Sequence, residues 1–235
     1  MLKIRRANDR GHSDIGWLDS HHSFSFADYY DSKHMGFGLL RVVNDDIVAP
    51  GGGFGTHPHS DMEIISYVLD GELSHKDSMG NGSVIRAGDL QRMSAGTGVT
   101  HSEFNNSESE PVRFLQIWFL PDHAGHKPGY EQKYFSPADK RGRFKLVASA
   151  NGDKDSVSLN QDVNFFAGLI DQDEQAFFEI NENRDVWVQI ASGSIKVNGE
   201  DLRQGDGIAI TETGKLNFTN GNNAEVVIFD MTRKT

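Results

Sequence analysis

The amino-acid sequence predicts an all-β protein built from two tandem lobes, each a β-sandwich or barrel. Short runs of β-branched and aromatic residues alternate with turn signals, and no long stretch shows helical periodicity. Glycine supplies many of these turns, at 25 of the 235 residues. Short strands separated by turns at this spacing are typical of sandwiches and barrels rather than of α/β folds.

The first half carries its strongest strand signals after residue 63. Residues 64–69 are mostly β-branched or aromatic, and Asp70-Gly71 follows as a hairpin-type turn. Shorter strands are expected through Leu73, at Val84-Ile85 and at residues 90–93, and the clearest strand covers residues 112–120.

A polar stretch containing Pro121, Pro128 and Pro137 separates the halves, and a short helix is expected within it at residues 130–134. We therefore predict an N-terminal lobe at 1–125, a connector at 126–145 and a C-terminal lobe at 146–235. Strands of the second lobe are expected at 163–170, 177–180, 186–190, 194–197, 208–210 and 226–229.

The two lobes show a weak internal repeat. Asp70-Gly71 followed by a Gly88-Asp89 turn parallels Ser192-Gly193 followed by a Gly205-Asp206 turn. In each case the Gly-Asp pair precedes a new strand. A duplicated β-sandwich explains the pattern, and coincidence among common turn residues is the alternative.

Composition excludes several classes of function. The formal net charge is −11, which disfavours direct binding to nucleic acid or to an anionic membrane surface. The chain has no Cys, so disulfides, thiolate nucleophiles and sulfur-ligated metals are excluded. No apolar run is long enough for a spanning helix, and the charged N-terminus is not a secretory signal. We expect a cytoplasmic protein.

Histidine is confined to the first half, where all ten residues lie between His12 and His126. On a strand, His57 and His59 would point to one face, and so would His101 and Glu103. Three imidazoles and a carboxylate form a complete ligand set for a first-row divalent metal. An isolated His-x-His is more often a surface feature, but glycine-dense sequence before both pairs favours a crowded site.

These motifs resemble those of the cupin superfamily. Gly51, His57, His59, Glu63 and Gly71 are similar in spacing to the first cupin motif. The second motif is matched by Gly88-Asp89, His101 and Asn105.

Within the cupins, the sequence is most similar to the pirin family. This likeness rests on residues 88–103, on His57-Pro58-His59 and on residues 23–31. The resemblance implies two tandem jelly-roll cupin lobes with a metal in the N-terminal one only. It favours Fe(II), while Zn, Mn, Co, Ni and Cu also suit the donors.

Two carboxylates compete for the fourth ligand position. The general cupin pattern and strand parity allow Glu63, whereas the pirin pattern takes Glu103 beside His101. We favour Glu103, with Glu63 hydrogen-bonded to a ligand or exposed at a strand edge. Gln116 interrupts an apolar strand, so it is expected to face the interior and meet substrate, water or backbone.

The remaining aromatic and histidine residues are expected to be structural. Phe24, Phe26, Tyr29 and Tyr30 are predicted to pack in the core. His75 is predicted to face solvent from a strand. Polar loops or segments are expected to hold the other histidines, namely His12, His21, His22, His34, His123 and His126.

The pirin resemblance implies a quercetin 2,3-dioxygenase-type activity, which opens a flavonol with O₂ and releases CO. Glu103 would then be both metal ligand and the base that accepts the proton of the flavonol 3-hydroxyl. One alternative is a metal- or redox-sensing regulatory protein that acts through a protein partner with little or no catalysis. Another is a Zn-dependent isomerase that uses the same ligands.

Overall fold

The computed structural model describes residues 2–233 and is almost entirely β-structure, which confirms the predicted fold class. It contains one short α-helix, α1 (Pro137–Lys140), and two single-turn 3-10 helices at Ala7–Asp9 and Asp153–Asp155. The strands are, in chain order, β1 (Leu2–Arg5), β2 (Gly11–Asp14), β3 (Leu18–His22), β4 (Leu40–Val48), β5 (Gly53–His59), β6 (Glu63–Asp70), β7 (Glu72–Asp77), β8 (Gly82–Arg86), β9 (Asp89–Ser94), β10 (Val99–Phe104), β11 (Val112–Phe119), β12 (Gly129–Tyr134), β13 (Lys145–Ser149), β14 (Val157–Ser158), β15 (Val163–Gln172), β16 (Ala176–Ile180), β17 (Arg184–Val197), β18 (Glu200–Arg203), β19 (Gly207–Ile210) and β20 (Gly214–Thr232).

The first half folds into two facing sheets. One has seven strands in the order β12-β9-β6-β11-β4-β3-β2, and the other has four in the order β5-β10-β7-β8. All of their strand pairs are antiparallel. Side chains alternate along each strand, so one face of the larger sheet points into the sandwich and the other points to the second half of the chain.

The second half forms a nine-stranded sheet dominated by two long strands, β17 and β20. The pairing of these strands shifts register after Ile190, Ser192 and Ser194, where bulges bend them. Because the chain bends here without leaving the sheet, the two strands expected at 186–190 and 194–197 form one continuous strand, β17. A separate apolar core fills this lobe, and it includes Val188, Phe218 and Ile228.

Another apolar cluster joins the two halves. Ile65, Tyr67 and Ile117 from the seven-stranded sheet pack in one cluster with Phe165 and Phe229 from the second half. These residues lie on the outward face of their sheet, so both faces of that sheet are buried. Burial of apolar surface at about 25 cal/mol per Å² makes such a contact a major source of stability.

The segment between the halves differs from expectation. Residues 130–134 belong to strand β12, which pairs with β9, and not to a helix; the helix begins later, at Pro137. Tyr130 bonds through its hydroxyl to Ser83 and Gln132, which is possible because the chain is extended and joins the sheet edge. Ser136 and Asp139 form a capping box that starts the helix.

The first strand of the chain, β1, pairs with β19 and so belongs to the sheet of the second half. The Gly88-Asp89 turn leads into β9, and the Gly205-Asp206 turn leads into β19.

Across the described residues, no helix combines the length and apolar character needed to cross a membrane.

Candidate metal centre

Three of the predicted ligands come together on the pair formed by β5 and β10. The strands are antiparallel, with His57 opposite His101 and His59 opposite Val99. The ring centroids of His57 and His101 are 4.5 Å apart, and His59 lies 4.8 Å from His57 and 4.9 Å from His101. One ring nitrogen from each lies within 4.8 Å of the others. This is a spacing that one bound cation could bridge.

The imidazoles have lone pairs available for a metal. Nδ1 of His57 lies 2.8 Å from the carbonyl oxygen of Gly55, which can only accept, so Nδ1 carries the proton and Nε2 is free. Both ring nitrogens of His101 are buried without a partner among residues 2–233. Such an orphaned polar group is costly unless something absent from the protein chain satisfies it.

Burial and the neighbouring imidazoles keep the rings of His59 and His101 neutral. Burial lowers the pKa of His59 to about 4, with a smaller contribution from His57. Burial also lowers the pKa of His101 to about 3, and the neighbouring imidazoles add to the effect. A neutral imidazole is the form that binds a metal, so the cluster is ready to coordinate at neutral pH.

Glu103 lies one step further inside the sandwich. The pairing of β10 with β5 shifts register between His101 and Glu103, while its pairing with β7 stays regular. The carboxylate is buried and accepts hydrogen bonds from Ser66 Oγ at 3.0 Å and Gln116 Nε2 at 3.2 Å. Burial outweighs these two bonds and raises the pKa of Glu103 to about 7.

The donors therefore form two groups that share His101. The first consists of His57, His59 and His101, and the second consists of His75, His101 and Glu103. The structure does not gather all four predicted ligands within the same 4.8 Å limit. Because His101 belongs to both groups, it links Glu103 to the histidine pair on β5.

The solvent-facing prediction for His75 is wrong. His75 lies opposite Glu103 in the β7–β10 pair, points into the sandwich and has a fully buried side chain. Its Nε2 lies 3.2 Å from Asp77, and its ring centroid is 5.3 Å from that of His101. The alternation of Leu73, His75 and Asp77 along β7 was the signal for an inward face.

Gln116 faces the interior, as predicted, and its partner is a side chain. Its amide nitrogen donates to Glu103, and its carbonyl oxygen is buried without a partner among residues 2–233.

Glu63 is neither hydrogen-bonded to a predicted metal ligand nor exposed at a strand edge, the two positions expected for it beside Glu103. It is fully buried, and its carboxylate accepts from Ser94 Oγ, from the Asn160 backbone and from the Asn160 amide. Glu63 thus ties the N-terminal lobe to the segment after β14.

A cavity of about 500 Å³ opens next to the histidine cluster. This volume falls in the roughly 300–1,000 Å³ range of small-molecule sites. Trp118 lies edge-on to the His59 ring at 5.0 Å and to Phe26 at 5.4 Å. Other lining residues include Trp17, Leu18, Ser20, His22, Asn44, Asp46, Phe54, His57, His101, Glu103 and Gln116.

The aromatic residues predicted for the core divide into different environments. Phe24 is buried and packs against Trp187, as expected, but Phe26 lines the cavity. Tyr30 is 73% exposed, and Tyr29 receives a hydrogen bond from Arg5. A loop with few apolar neighbours cannot bury all four rings, and single residues carry no periodic signal for direction.

The other histidines pair with acidic residues away from the cavity, with one exception. His12 and His21 lie beside Asp19, His34 beside Asp31, and both His123 and His126 beside Asp122. The exception is His22: it and His21 lie on β3 rather than in a loop, and His22 lines the cavity.

Two family models match this chain. The pirin model matches residues 3–119, and the model described as a quercetinase C-terminal cupin domain matches residues 146–231. A protein named quercetin 2,3-dioxygenase from Escherichia coli K12 is 44% identical over 231 residues, which cover 98% of this chain and 99% of that protein. The chain belongs to the pirin family. The predicted family and its two-lobed cupin architecture are thereby confirmed.

Solved structures of pirins and related proteins have the same fold. A bacterial pirin from Escherichia coli in complex with nickel(II) superposes with a TM-score of 0.94 at 43% identity, covering 100% of both chains. A quercetin 2,3-dioxygenase from Acinetobacter baumannii has a TM-score of 0.76 at 19% identity and shares the fold; the match covers 98% of this chain and 86% of that one. The nickel-bound pirin and the histidine–glutamate cluster point to a divalent metal in this chain as well.

Proposed function

We propose that this pirin is a metal-dependent dioxygenase that opens flavonols such as quercetin with O₂ and releases CO. His57, His59, His101 and Glu103 would hold the metal. The observation that carries the proposal is the cluster of His57, His59 and His101 beside an aromatic-lined cavity, together with the second donor group, in which the buried Glu103 shares His101 with that cluster. The quercetin dioxygenase name of its Escherichia coli relative supports the choice of substrate.

The residues present fit a divalent cation. One of the two partnerless nitrogens of His101 and the free Nε2 of His57 each carry a lone pair, and a cation would accept both lone pairs. Three neutral imidazoles and one carboxylate reduce a charge of +2 to about +1. We propose Fe(II) as the native ion, although the nitrogen and oxygen donors also suit Mn, Co, Ni, Cu and Zn.

A bound metal would acidify the flavonol hydroxyl and provide an open position for O₂. Glu103 would take the 3-hydroxyl proton once its carboxylate loosens from the ion, because a carboxylate bound to a cation is a poor base; in the absence of a metal, burial raises its pKa to about 7. Ser66 and Gln116 orient the carboxylate through their hydrogen bonds. The aromatic walls exclude water and hold a planar substrate.

The proposal is tested by measuring O₂ uptake and CO release with quercetin after anaerobic loading with Fe(II). His101→Ala removes the residue shared by both donor groups, and we expect at least a hundredfold lower rates of both. His123→Ala is the matched control, since His123 is an exposed histidine outside the cavity. Equal rates in His101→Ala and the unaltered protein would refute the proposal. An inactive, metal-loaded unaltered protein would do so too, and would favour the regulatory alternative.

A further inference from the structure

The wall of the cavity formed by β3 and β4 is polar. Ser20 and His22 lie two residues apart on β3, and Asn44 and Asp46 lie two apart on β4, so all four point to the same face. The pairing of the strands places Ser20 opposite Asp46 and His22 opposite Asn44. All four are buried, and all four line the cavity. We call this group the polar wall.

Hydrogen bonds within the polar wall define which atoms remain for a ligand. Ser20 Oγ donates to Asp46 Oδ1. His22 Nδ1 lies 2.9 Å from Asn44 Oδ1, an acceptor, so this nitrogen donates, and His22 Nε2 can accept from Ser13 Oγ at 3.2 Å. Within residues 2–233, these contacts leave Asp46 Oδ2 as an acceptor and the Asn44 amide nitrogen as a donor.

Asp46 contrasts with its neighbour Asp45. The Asp45 side chain points the other way and accepts two hydrogen bonds from Arg113, at 2.9 and 3.1 Å, with Arg10 3.6 Å away. No cation pairs with Asp46 in the part of the chain that the structure describes. Burial raises the pKa of Asp46 to about 7, as expected for a carboxyl that lacks such compensation. A carboxylate oxygen that lines a ligand cavity and receives no hydrogen bond from residues 2–233 is available to a donor that arrives with the ligand.

We propose that Asp46 and Asn44 bind hydroxyl groups on the outer rings of the substrate, and thereby select polyhydroxylated aromatic compounds over their unhydroxylated analogues. This inference rests on the proposed function and adds the residues that determine specificity. A phenolic hydroxyl both donates and accepts, which complements Asp46 Oδ2 and the Asn44 amide. Trp17, Phe54 and Phe26 line the same cavity and offer apolar contacts for the ring that carries the hydroxyl.

The comparison of two substrates tests this assignment. Quercetin carries hydroxyls on its outer rings, whereas 3-hydroxyflavone has only the hydroxyl on its central ring. We expect Asp46→Leu to lower the ratio of kcat/KM for quercetin to that for 3-hydroxyflavone by roughly tenfold or more, mainly through KM, because one or two net hydrogen bonds are lost. Asp46→Asn keeps a polar group of the same shape and should retain more of the preference.

Asp19→Leu is the matched control, because Asp19 lies on the opposite face of β3 and does not line the cavity. The control should leave the ratio unchanged. If Asp46→Leu lowers kcat/KM equally for both compounds, or changes neither, the assignment is overturned.

A binding measurement separates this inference from the proposed function. Trp17 and Trp118 line the cavity, so quenching of tryptophan fluorescence reports binding of either compound to the metal-loaded protein. If the unaltered protein takes up no O₂, the proposed function fails, and the polar wall is still tested by the dissociation constants. Asp46→Leu should weaken quercetin binding about tenfold more than 3-hydroxyflavone binding. Equal effects on the two would refute the inference.

Discussion

At the scale of single residues, the sandwich interior carries two carboxyl groups, Glu103 and Asp46, whose burial is not offset by a cation from residues 2–233. Glu103 and Asp46 both have a pKa raised to about 7, and burial is the largest cause for each. Such groups weaken the fold at neutral pH, because the charged form loses its hydration. Proteins retain groups of this kind at functional sites more often than elsewhere.

Asp46→Asn should stabilise the metal-free protein, and more so at pH 8 than at pH 5. The unfolded carboxyl loses its proton near pH 3.8, while the folded one keeps it up to about pH 7. The contribution of Asp46 to stability is therefore present at low pH and is lost as the pH rises through about 7. The amide does not titrate. Urea unfolding at both pH values measures the difference, and an equal gain at pH 5 and pH 8 would contradict the prediction.

At the scale of elements, strand alternation accounts for what the sequence could reveal about the site. It places His57 with His59 and His101 with Glu103, whereas the inward direction of Gln116 was predicted because a polar residue interrupts an otherwise apolar strand. It does not reveal which strands face each other. The second group of donors, with His75, depends on the pairing of β7 with β10, and that pairing joins residues that are distant in sequence.

The elements that sequence reasoning missed share a physical cause. Residues 130–134 are polar on both faces, so only their pairing with β9 at the edge of the sheet makes them extended. The polar wall was missed because Ser20 and His22 lie in a short, polar strand whose direction is fixed by hydrogen bonds to β4. In such segments, pairing with distant strands, rather than local propensity, determines the backbone conformation and the direction of the side chains.

The contact between β5 and β10 yields a prediction about glycine. A Cβ at Gly53 would lie 2.4 Å from the backbone oxygen of Glu103 and 2.7 Å from Cα of Phe104, whereas one at Gly55 would meet nothing within 4 Å. Gly53→Ala should therefore push β10 away, destabilise the protein by about 1–3 kcal/mol and weaken metal binding. Gly55→Ala should cost less than about 0.5 kcal/mol. Urea unfolding with a metal titration tests both, and similar results for the two variants would be inconsistent with this packing.

At the scale of the whole molecule, the two lobes are joined by an apolar cluster with a polar contact at its edge. Lys140 of α1 donates to Glu225 of β20 at 2.9 Å and to the hydroxyl of Tyr67 on β6 at 2.8 Å. Tyr67 also donates to Glu225. The three residues come from both lobes and from the segment between them, so the contact helps fix the position of one lobe on the other.

Lys140→Met should destabilise the protein by about 3 kcal/mol, because the largely buried Glu225 would lose its cation. The double variant Lys140→Met, Glu225→Gln should recover part of this loss, since it removes the uncompensated charge. Denaturant unfolding measures both. A single variant within about 0.5 kcal/mol of the unaltered protein would show that the ion pair contributes little.

The pairing of β1 with β19 has a consequence for synthesis. The ribosome releases Leu2–Arg5 long before it makes Gly207–Ile210, the segment that receives them. The sheet of the second lobe therefore cannot be completed until β19 has been synthesised. Until then, the backbone N–H and C=O groups with which β1 pairs to β19 have no partner strand. A nascent chain that stalls in the second lobe would leave this strand free to pair with a neighbour.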